Sequence, residues 1–141
     1  MRFLLLLLLL TGCSFSMGGL NMGTGSHPHV NFAVKGTVGP VEALHAPTTQ
    51  KNPVTDLYML GAYPSIGSGI KVTLGAGWAW WRTWGACTNN GYDCSHSWYD
   101  GPTAGLGLVY TLGHARLDLR YQRFWEAAFD EALLFTIGVT P

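Results

Sequence analysis

The sequence predicts an all-β fold, an antiparallel meander of six to eight strands, from three observations. Five segments of the chain have two unlike faces with a period of two, and a sixth, 54–63, is less regular but rich in β-forming residues. Gly and Pro mark the connections between those segments. Charged residues make up only 11% of the chain, against roughly 25% in ordinary soluble domains. A period of two gives strands with two unlike faces, whereas a helix repeats every 3.6 residues.

The first twelve residues form a predicted export signal. Arg2 precedes an unbroken leucine run from Leu4 to Leu10, and the small residues Thr11 and Gly12 follow. One positive charge, a short apolar stretch and small residues at its end are the three parts of a secretory signal. The run is too short to span a bilayer, which needs about 20 apolar residues. We expect residues 1–12 to be removed on export.

Leu10, Thr11, Gly12 and Cys13 resemble the lipobox of bacterial lipoproteins, which has an aliphatic residue, two small residues and an invariant cysteine. The resemblance implies diacylglycerol on the Cys13 sulfur, cleavage after Gly12, and acylation of the new amino terminus by a fatty acid such as palmitate. Membrane lipid is therefore the partner predicted at Cys13. An ordinary cleaved signal is the alternative. Ser14, a non-acidic residue, implies delivery to the outer membrane by similarity to enterobacterial lipoproteins.

The remainder divides into a linker and one domain. Residues 13–29 are mostly Gly, Ser, Asn and Met, and they are interpreted as a flexible tether. Residues 30–141 are predicted to form a single antiparallel β domain. Eight basic and eight acidic residues balance in the whole chain, so nothing points to nucleic acid as a partner.

Six segments are the predicted strands. They are residues 30–38, 54–63, 71–82, 104–111, 114–125 and 132–139. The alternation is cleanest where Leu117 and Leu119 oppose the charged positions 116, 118 and 120. Residues 41–45 and the tether are candidates for a seventh and an eighth strand.

The connections and the aromatic residues predict a small barrel of the outer-membrane type. Short turns at 64–68 and near Gly113 alternate with longer connections at 46–53, 83–97 and 126–130, as in such barrels. Aromatic residues gather near strand ends, as in interfacial girdles. The predicted girdle is Trp78, Trp80, Trp98, Trp125, Tyr63 and Tyr110. A lipid-tethered soluble β-sandwich is the alternative, because either fold has one apolar face.

The less apolar face is predicted to line the lumen of the barrel. The residues expected to neutralise one another there are Lys71, Arg116, Asp118 and Arg120. Glycines on the same face, at 75, 77, 105 and 107, are expected to let backbones or bulky side chains approach closely.

Two cysteines remain once Cys13 is assigned to lipid. Cys87 and Cys94 bracket the polar segment 88–93, and in an oxidising exported compartment such a pair predicts a disulfide. Zinc binding with His96 is the alternative, but two thiols and one imidazole make an incomplete site.

No catalytic residue, metal or cofactor is predicted. The stretch from Leu117 to Trp125 is similar to a strand of small outer-membrane barrel proteins, and distantly to the region of lipid A deacylase barrels that holds their catalytic His and Ser. Arg123 and Trp125 stand at those positions here, so the resemblance implies the fold and not the hydrolysis. Ser95, His96, Ser97 and Asp100 also fail as a triad, because neighbouring residues of a strand point to opposite faces.

The resulting hypothesis is a non-enzymatic outer-membrane lipoprotein with a structural or surface-interaction role. Its partner would be an envelope protein or a surface ligand. The alternatives are a lipid-tethered soluble binding domain and a lipid-modifying barrel enzyme that uses His96. A homo-oligomer stays open as well, because six strands would leave unpaired edges that lipid does not tolerate.

Overall fold

The protein is a single β-sheet whose first and last strands meet. A computed structural model describes residues 13–23, 29–47, 54–87, 94–125 and 131–140, with side chains in those ranges except at 22–23, 29–30, 54–55, 84–87 and 94. The strands are β1 (Cys13–Gly23), β2 (His29–Val38), β3 (Val41–Pro47), β4 (Val54–Ala62), β5 (Ser65–Ile66), β6 (Ile70–Cys87), β7 (Cys94–Leu112), β8 (Ala115–Phe124) and β9 (Glu131–Val139). The predicted signal at 1–12 lies outside the described residues.

Every strand pairs antiparallel with its neighbours, and the sheet closes on itself. The order is β4-β3-β2-β1-β9-β8-β7-β6-β5, and an additional pairing of β4 with β6 completes the ring. Because β5 is a two-residue strand within the connection from β4 to β6, eight strands form the wall. The predicted all-β antiparallel barrel is confirmed. In the part of the chain that is described, no helix is long and apolar enough to cross a membrane.

The predicted tether over 13–29 is wrong for its first eleven residues, which form β1. This strand pairs with β2 from Cys13, opposite Val38, and with β9 from Phe15, opposite Val139. Gly, Ser and Asn have low strand propensity, which hid the strand in the sequence. Pairing on both sides overrides that propensity, because a missing β1 would leave β2 and β9 with open edges. The β domain therefore begins at residue 13 and not at residue 30, and one chain closes the barrel.

The two ends of the barrel differ. Tight turns lie at Gly39–Pro40, at 63–69 and at Gly113–His114, and both Cys13 and Thr140 lie at the same end. Gly39 and Gly113 have φ values of 58° and 57°, a left-handed conformation that glycine adopts at little cost. We call this end the tight-turn end. The strand ends that flank residues 24–28, 48–53, 88–93 and 126–130 lie at the opposite end, which we call the long-loop end.

The wall of the barrel is apolar outside, and toward the tight-turn end its inner face is polar. On β8, Leu117 and Leu119 are 39% and 44% exposed, whereas Asp118 and Arg120 between them are 0% and 1% exposed. A soluble sheet directs its apolar face to the core and its polar face to water. The orientation seen here is the reverse, and it is the one that a lipid-facing wall requires.

Glycines on the inner face allow the wall to curve and the lumen to fill. A Cβ atom added at Gly75 would lie 2.6 Å from Cδ1 of Tyr63 and would collide with the Ala62 carbonyl oxygen. One added at Gly105 would lie 2.9 Å from Cδ of Arg120. These are the close approaches predicted for the glycine pairs.

Candidate functional site

A layer of buried charge crosses the lumen on the tight-turn side. Its members are Lys35 from β2, Glu42 from β3, and Arg116, Asp118 and Arg120 from β8. The Arg120 guanidinium donates to both carboxylate oxygens of Glu42, at 2.5 and 2.7 Å. Lys35 Nζ donates to Asp118 Oδ2 and lies 3.5 Å from Glu42 Oε2. We call these five residues the charged layer.

Arg116 links the charged layer to the tight-turn opening of the lumen. Its Nη2 donates to Asp118 Oδ2 at 3.4 Å, and its Nη1 donates to Ser14 Oγ at 3.2 Å. Ser14 Oγ is in turn 2.6 Å from Thr37 Oγ1. Of the four residues predicted to neutralise one another in the lumen, Arg116, Asp118 and Arg120 are thus in contact. Lys71, also predicted, lies on the inner face and is half-buried, with no ion pair to any described residue.

Two charged residues of the layer were missed in the sequence. Lys35 lies on the polar face of a predicted strand, and that alternation was the available signal. Glu42 lies on β3, whose short run of Val, Ala and His gave too weak a pattern for its inner face to be assigned. Lys35 and Glu42 can be recognised as lumen residues once β2 and β3 are placed opposite β8 across the lumen.

A polar group lies next to the charged layer and includes Tyr63. Gln122 Nε2 donates to Tyr63 Oη at 2.8 Å and to Thr103 Oγ1 at 2.5 Å. The Arg120 guanidinium lies 4.1 Å from the centre of the Tyr63 ring. The prediction that Tyr63 belongs to the aromatic girdle is therefore wrong. Tyr63 continues the inward alternation of β4 beyond its last residue, so its ring enters the lumen.

An apolar plug fills the lumen on the long-loop side. Trp81, Phe124 and Leu134 are 1–2% exposed and form its largest part. The remaining members are Leu20, Ala33, Leu44, Ala46, Leu57, Met59, Ala79 and Ala132. The plug and the charged layer together pack the described part of the interior with side chains, as in small barrels, rather than leaving the aqueous channel of a porin.

Strands β6 and β7 rise beyond the rest of the wall. The last residue of β6 paired with β4 is Thr83, opposite Val54, and the last backbone bond from the β8 side joins Trp125 N to the Pro102 carbonyl. Beyond Thr83 only β6 and β7, among the described strands, pair with each other, over 84–87 and 94–96. The four residues 84–87 extend about 13 Å at 3.3 Å per residue. We call this two-stranded segment the ribbon, and it replaces most of the loop predicted over 83–97.

Cys87 and Cys94 face each other at the end of the ribbon. The backbone register pairs them directly, with the segment 88–93 between them, although their side chains lie outside the described set. Opposite residues on antiparallel strands have Cβ atoms about 4.5–5.5 Å apart, near the separation that a disulfide spans. The disulfide remains a prediction, and the register supports it.

We expect that a maleimide reagent will label neither Cys87 nor Cys94 in unreduced, denatured protein, and that it will label both after reduction. Peptide mass spectrometry would locate the label. A Cys87→Ser variant is the matched control, because its partner Cys94 should then be labelled without reduction. Labelling of either cysteine in the unreduced parent protein would contradict the disulfide.

The outward-facing aromatic residues form two levels. Trp78, Trp80, Trp98 and Trp125 are 40–57% exposed on the outer face toward the long-loop end. Tyr110 is 41% exposed on the outer face toward the tight-turn end. Five of the six predicted girdle residues thus lie on the outer face, and Tyr63 is the exception.

The ribbon does not assemble the catalytic set considered from the sequence. Asp100 accepts a hydrogen bond from Trp78 Nε1 at 2.8 Å on the outer face. His96 is four residues away on the same strand, or about 13 Å, with Trp98 between them on that face. Asp100 is therefore too far to orient His96, so these two residues do not form a base and its orienting carboxylate.

Comparison with known proteins identifies the fold and nothing finer. No protein-family model matches the chain, and no curated protein matches its sequence. The N-terminal β-barrel domain of OprF from Pseudomonas aeruginosa is similar in structure, with a TM-score of 0.62, 13% sequence identity, and coverage of 92% of this chain and 96% of that one. The fold is that of a small outer-membrane barrel.

A second similar structure has the same architecture. Ail, the attachment invasion locus protein of Yersinia pestis, matches with a TM-score of 0.58, 11% identity, and coverage of 90% of this chain and 95% of that one. A structure of Ail in complex with the heparin analogue sucrose octasulfate matches with a TM-score of 0.54 and 12% identity, covering 90% of this chain and 95% of that one. At such identities the shared property is the closed eight-stranded wall.

Proposed function

We propose that this chain is a non-enzymatic, lipid-anchored protein integral to the outer membrane, whose packed barrel carries the ribbon as a surface-interaction element. The observation that carries the proposal is the reversed wall, with apolar side chains outside and a charged layer inside. Such a wall is stable in lipid and costly in water. Because side chains fill the lumen, we infer that the barrel supports the ribbon and does not conduct solutes.

The position of Cys13 supports the anchor and gives an orientation. Cys13 is the first residue of β1, at the tight-turn end, and its side chain falls on the outward side of the alternation with Phe15 and Met17. Acyl chains on its sulfur would enter the adjoining leaflet directly beside the barrel wall. In outer-membrane barrels the short turns face the periplasm and the longer loops face outside. In that orientation the ribbon would lie outside the cell.

The form of the ribbon favours interaction with a surface ligand or another envelope protein. At its base on β7, Trp98 and Tyr99 are 57% and 49% exposed, and large aromatic side chains are typical of binding surfaces. The similar protein Ail is named for attachment and invasion, and one structure of it contains a heparin analogue. Adhesion is accordingly the surface interaction that we propose first.

The first experiment is membrane extraction of a version that carries an ordinary cleavable signal and Cys13→Ala. We expect it to incorporate no labelled fatty acid, to resist alkaline carbonate, and to migrate differently on a gel before and after boiling. The unaltered protein is the control, and it should incorporate the label. Release of the variant as soluble folded protein would overturn the integral barrel, and equal labelling of the two proteins would overturn the anchor.

A further inference from the structure

An apolar groove lies on the outer face of β2, β3 and β4. It has a volume of about 400 Å³. Two small residues, Gly36 and Ala43, pair with each other in its lining, and a Cβ atom added at Gly36 would meet no atom within 4 Å. We call this depression the Gly36 groove. Its other outward-facing lining residues are Val34, His45, Tyr58, Leu60 and Trp80.

The Gly36 groove begins next to the residue that is predicted to carry lipid. Cys13 pairs with Val38 on β2, and Gly36 lies two residues from Val38 toward the long-loop end. Neighbouring strands are about 4.8 Å apart and each residue advances about 3.3 Å, so the Cα atoms of Cys13 and Gly36 are about 8 Å apart. Cys13 falls on the outward side of the alternation of β1, so it shares the outer face with the groove.

The tilt of the strands follows from the register around the barrel. From Met17 the pairing leads through β2, β3 and β4 to Trp80 on β6, and in the other direction through β9, β8 and β7 to Ile70. This offset of ten residues, about 33 Å of strand across eight strands or about 38 Å, corresponds to a tilt of about 40°. Because Trp80 is nearer the long-loop end than Ile70, a step from β1 to β2 rises toward that end. Each strand leans the opposite way around the wall.

This tilt places Gly36 almost directly above Cys13 along the barrel axis, where above means toward the long-loop end. The displacement from Cys13 to Gly36, one strand across and two residues along, makes an angle of about 36° with the strand and so nearly cancels the tilt. A second displacement of the same kind, through Ala43, leads to His45. Gly36 is therefore about 8 Å above Cys13, and His45 is about 16 Å above it on the same line.

An acyl chain on Cys13 has the length to occupy this groove and not another. The hydrocarbon core of a bilayer is about 30 Å thick, so a chain in one leaflet spans about 15 Å, which passes Gly36 and ends near His45. A second groove on the wall has a volume of about 420 Å³. Leu119 is its lining residue nearest to Cys13 along the wall, six residues along β1 to Gly19 and two strands across, or about 22 Å.

From this alignment, and resting on the lipid anchor of the proposed function, we propose that the Gly36 groove is the docking site for one acyl chain of the Cys13 anchor. The chain runs from the Cys13 sulfur toward the long-loop end, over Gly36 and Ala43 and past Val34. Its methylene groups supply the dispersion contacts that the missing side chain of Gly36 leaves unmade. The lipid that attaches the barrel to the membrane thus also completes the surface of the wall.

Photo-crosslinking within the full-length lipidated protein tests the site. Cells that express the protein are supplied with palmitic acid bearing a diazirine near the middle of its chain, which enters both the anchor and the phospholipids. After irradiation, trypsin cleaves after Lys35 and so separates Cys13 from Gly36, and an intramolecular product joins peptides 13–35 and 36–51. A cross-link to a free phospholipid has a different mass and reports the surrounding lipid.

Strand β9 provides an internal comparison, because it flanks β1 on the other side and lies in the tryptic peptide 124–141. An anchor that moves freely beside β1 would reach both neighbouring strands equally. We expect cross-links from the anchor to peptide 36–51 to exceed those to peptide 124–141 about tenfold, the scale of some ten additional carbon–carbon contacts.

Two variants separate the groove from the rest of the wall. Gly36→Leu fills the groove without a backbone clash, and it should abolish the excess. Ala76→Leu is the matched control, because it places the same side chain on the exposed outer face of β6, outside the groove. This control should keep the excess.

Fatty-acid incorporation and the gel shift on boiling are measured on the same samples, so the failures are distinguishable. Lipidated, inserted protein with equal cross-links to the two peptides overturns the docking site alone. An excess that Gly36→Leu keeps, or that Ala76→Leu also loses, does the same. Protein that incorporates no fatty acid overturns the proposed anchor and the docking site with it, and protein without a gel shift overturns the proposed membrane barrel.

Discussion

Glu42→Ala is expected to lower the free energy of unfolding of the barrel by about 3–5 kcal/mol, the usual cost of breaking a buried ion pair from one side. Glu42 is 2% exposed and accepts two hydrogen bonds from Arg120, which is 1% exposed. Lys35 lies 3.5 Å away and would lose the same counter-charge. Asp118 would remain as the single carboxylate facing Lys35, Arg116 and Arg120.

Urea titration of vesicle-inserted protein, followed by the gel mobility of folded and unfolded forms, measures the effect. Glu131→Ala is the matched control. Glu131 is exposed and bonds Tyr121 on the outer face, so its loss should change stability by no more than about 0.5 kcal/mol. Comparable losses in the two variants would contradict the charged layer as a determinant of stability.

A double variant tests whether the pair acts as a unit. Glu42→Ala with Arg120→Ala should cost less than the sum of the two single changes, because the second change removes the charge that the first one left unpaired. Strict additivity would indicate that the two residues contribute independently.

Leu106→Arg is expected to lower the free energy of unfolding by about 2–4 kcal/mol, the cost of a lipid-facing arginine near the middle of the bilayer. Leu106 is 55% exposed on the outer face of β7, between the aromatic level at Trp98 and the one at Tyr110. In water the same substitution would be nearly neutral, since an exposed leucine gains nothing from burial. The change in the free energy of unfolding therefore shows whether lipid or water surrounds the wall.

Leu112→Arg gives the comparison within the same strand. Leu112 is 68% exposed at the tight-turn end of β7, where an arginine reaches the interface and should cost about 0–1 kcal/mol. The same urea titration serves both variants. Equal and small effects at 106 and 112 would indicate a wall in water, contrary to the proposed function.

The alternating pattern was sufficient to predict most of the wall, because in a barrel each residue has only two environments. On β8 the sequence alone assigned Leu117 and Leu119 to one face and Asp118 and Arg120 to the other. Alternation does not show whether the apolar face of a strand meets lipid or a protein core. Leu119 would alternate with polar neighbours in the same way on a soluble sheet. Low charge and the position of the tryptophans favoured lipid, and the exposed outer leucines now agree.

The failures have a common physical cause, which is that they depend on partners distant in the chain. Residues of β1 have little strand propensity of their own, and pairing with β9, more than a hundred residues later, holds them extended. Tyr63 enters the lumen because Gln122 and Arg120 provide contacts there. Glu42 is recognisable as a lumen residue only once Arg120 stands opposite it. The ribbon was missed because it lies beyond the wall and needs no apolar face. Its residues therefore show no alternation of apolar and polar side chains.

The seam between β1 and β9 also sets an order of events in time. β1, the first strand of the wall, pairs on one edge with β9, the last strand, so that edge stays unpaired until β9 is present. Phe15, for example, pairs with Val139. If Cys13 is acylated during export, the anchored strand is held at the membrane with one edge unpaired until the rest of the sheet is in place. Ring closure then depends on β9, because that strand supplies the missing partner of β1. Shortening the chain within β9 would leave β1 and β8 each with one unpaired edge and so open the ring.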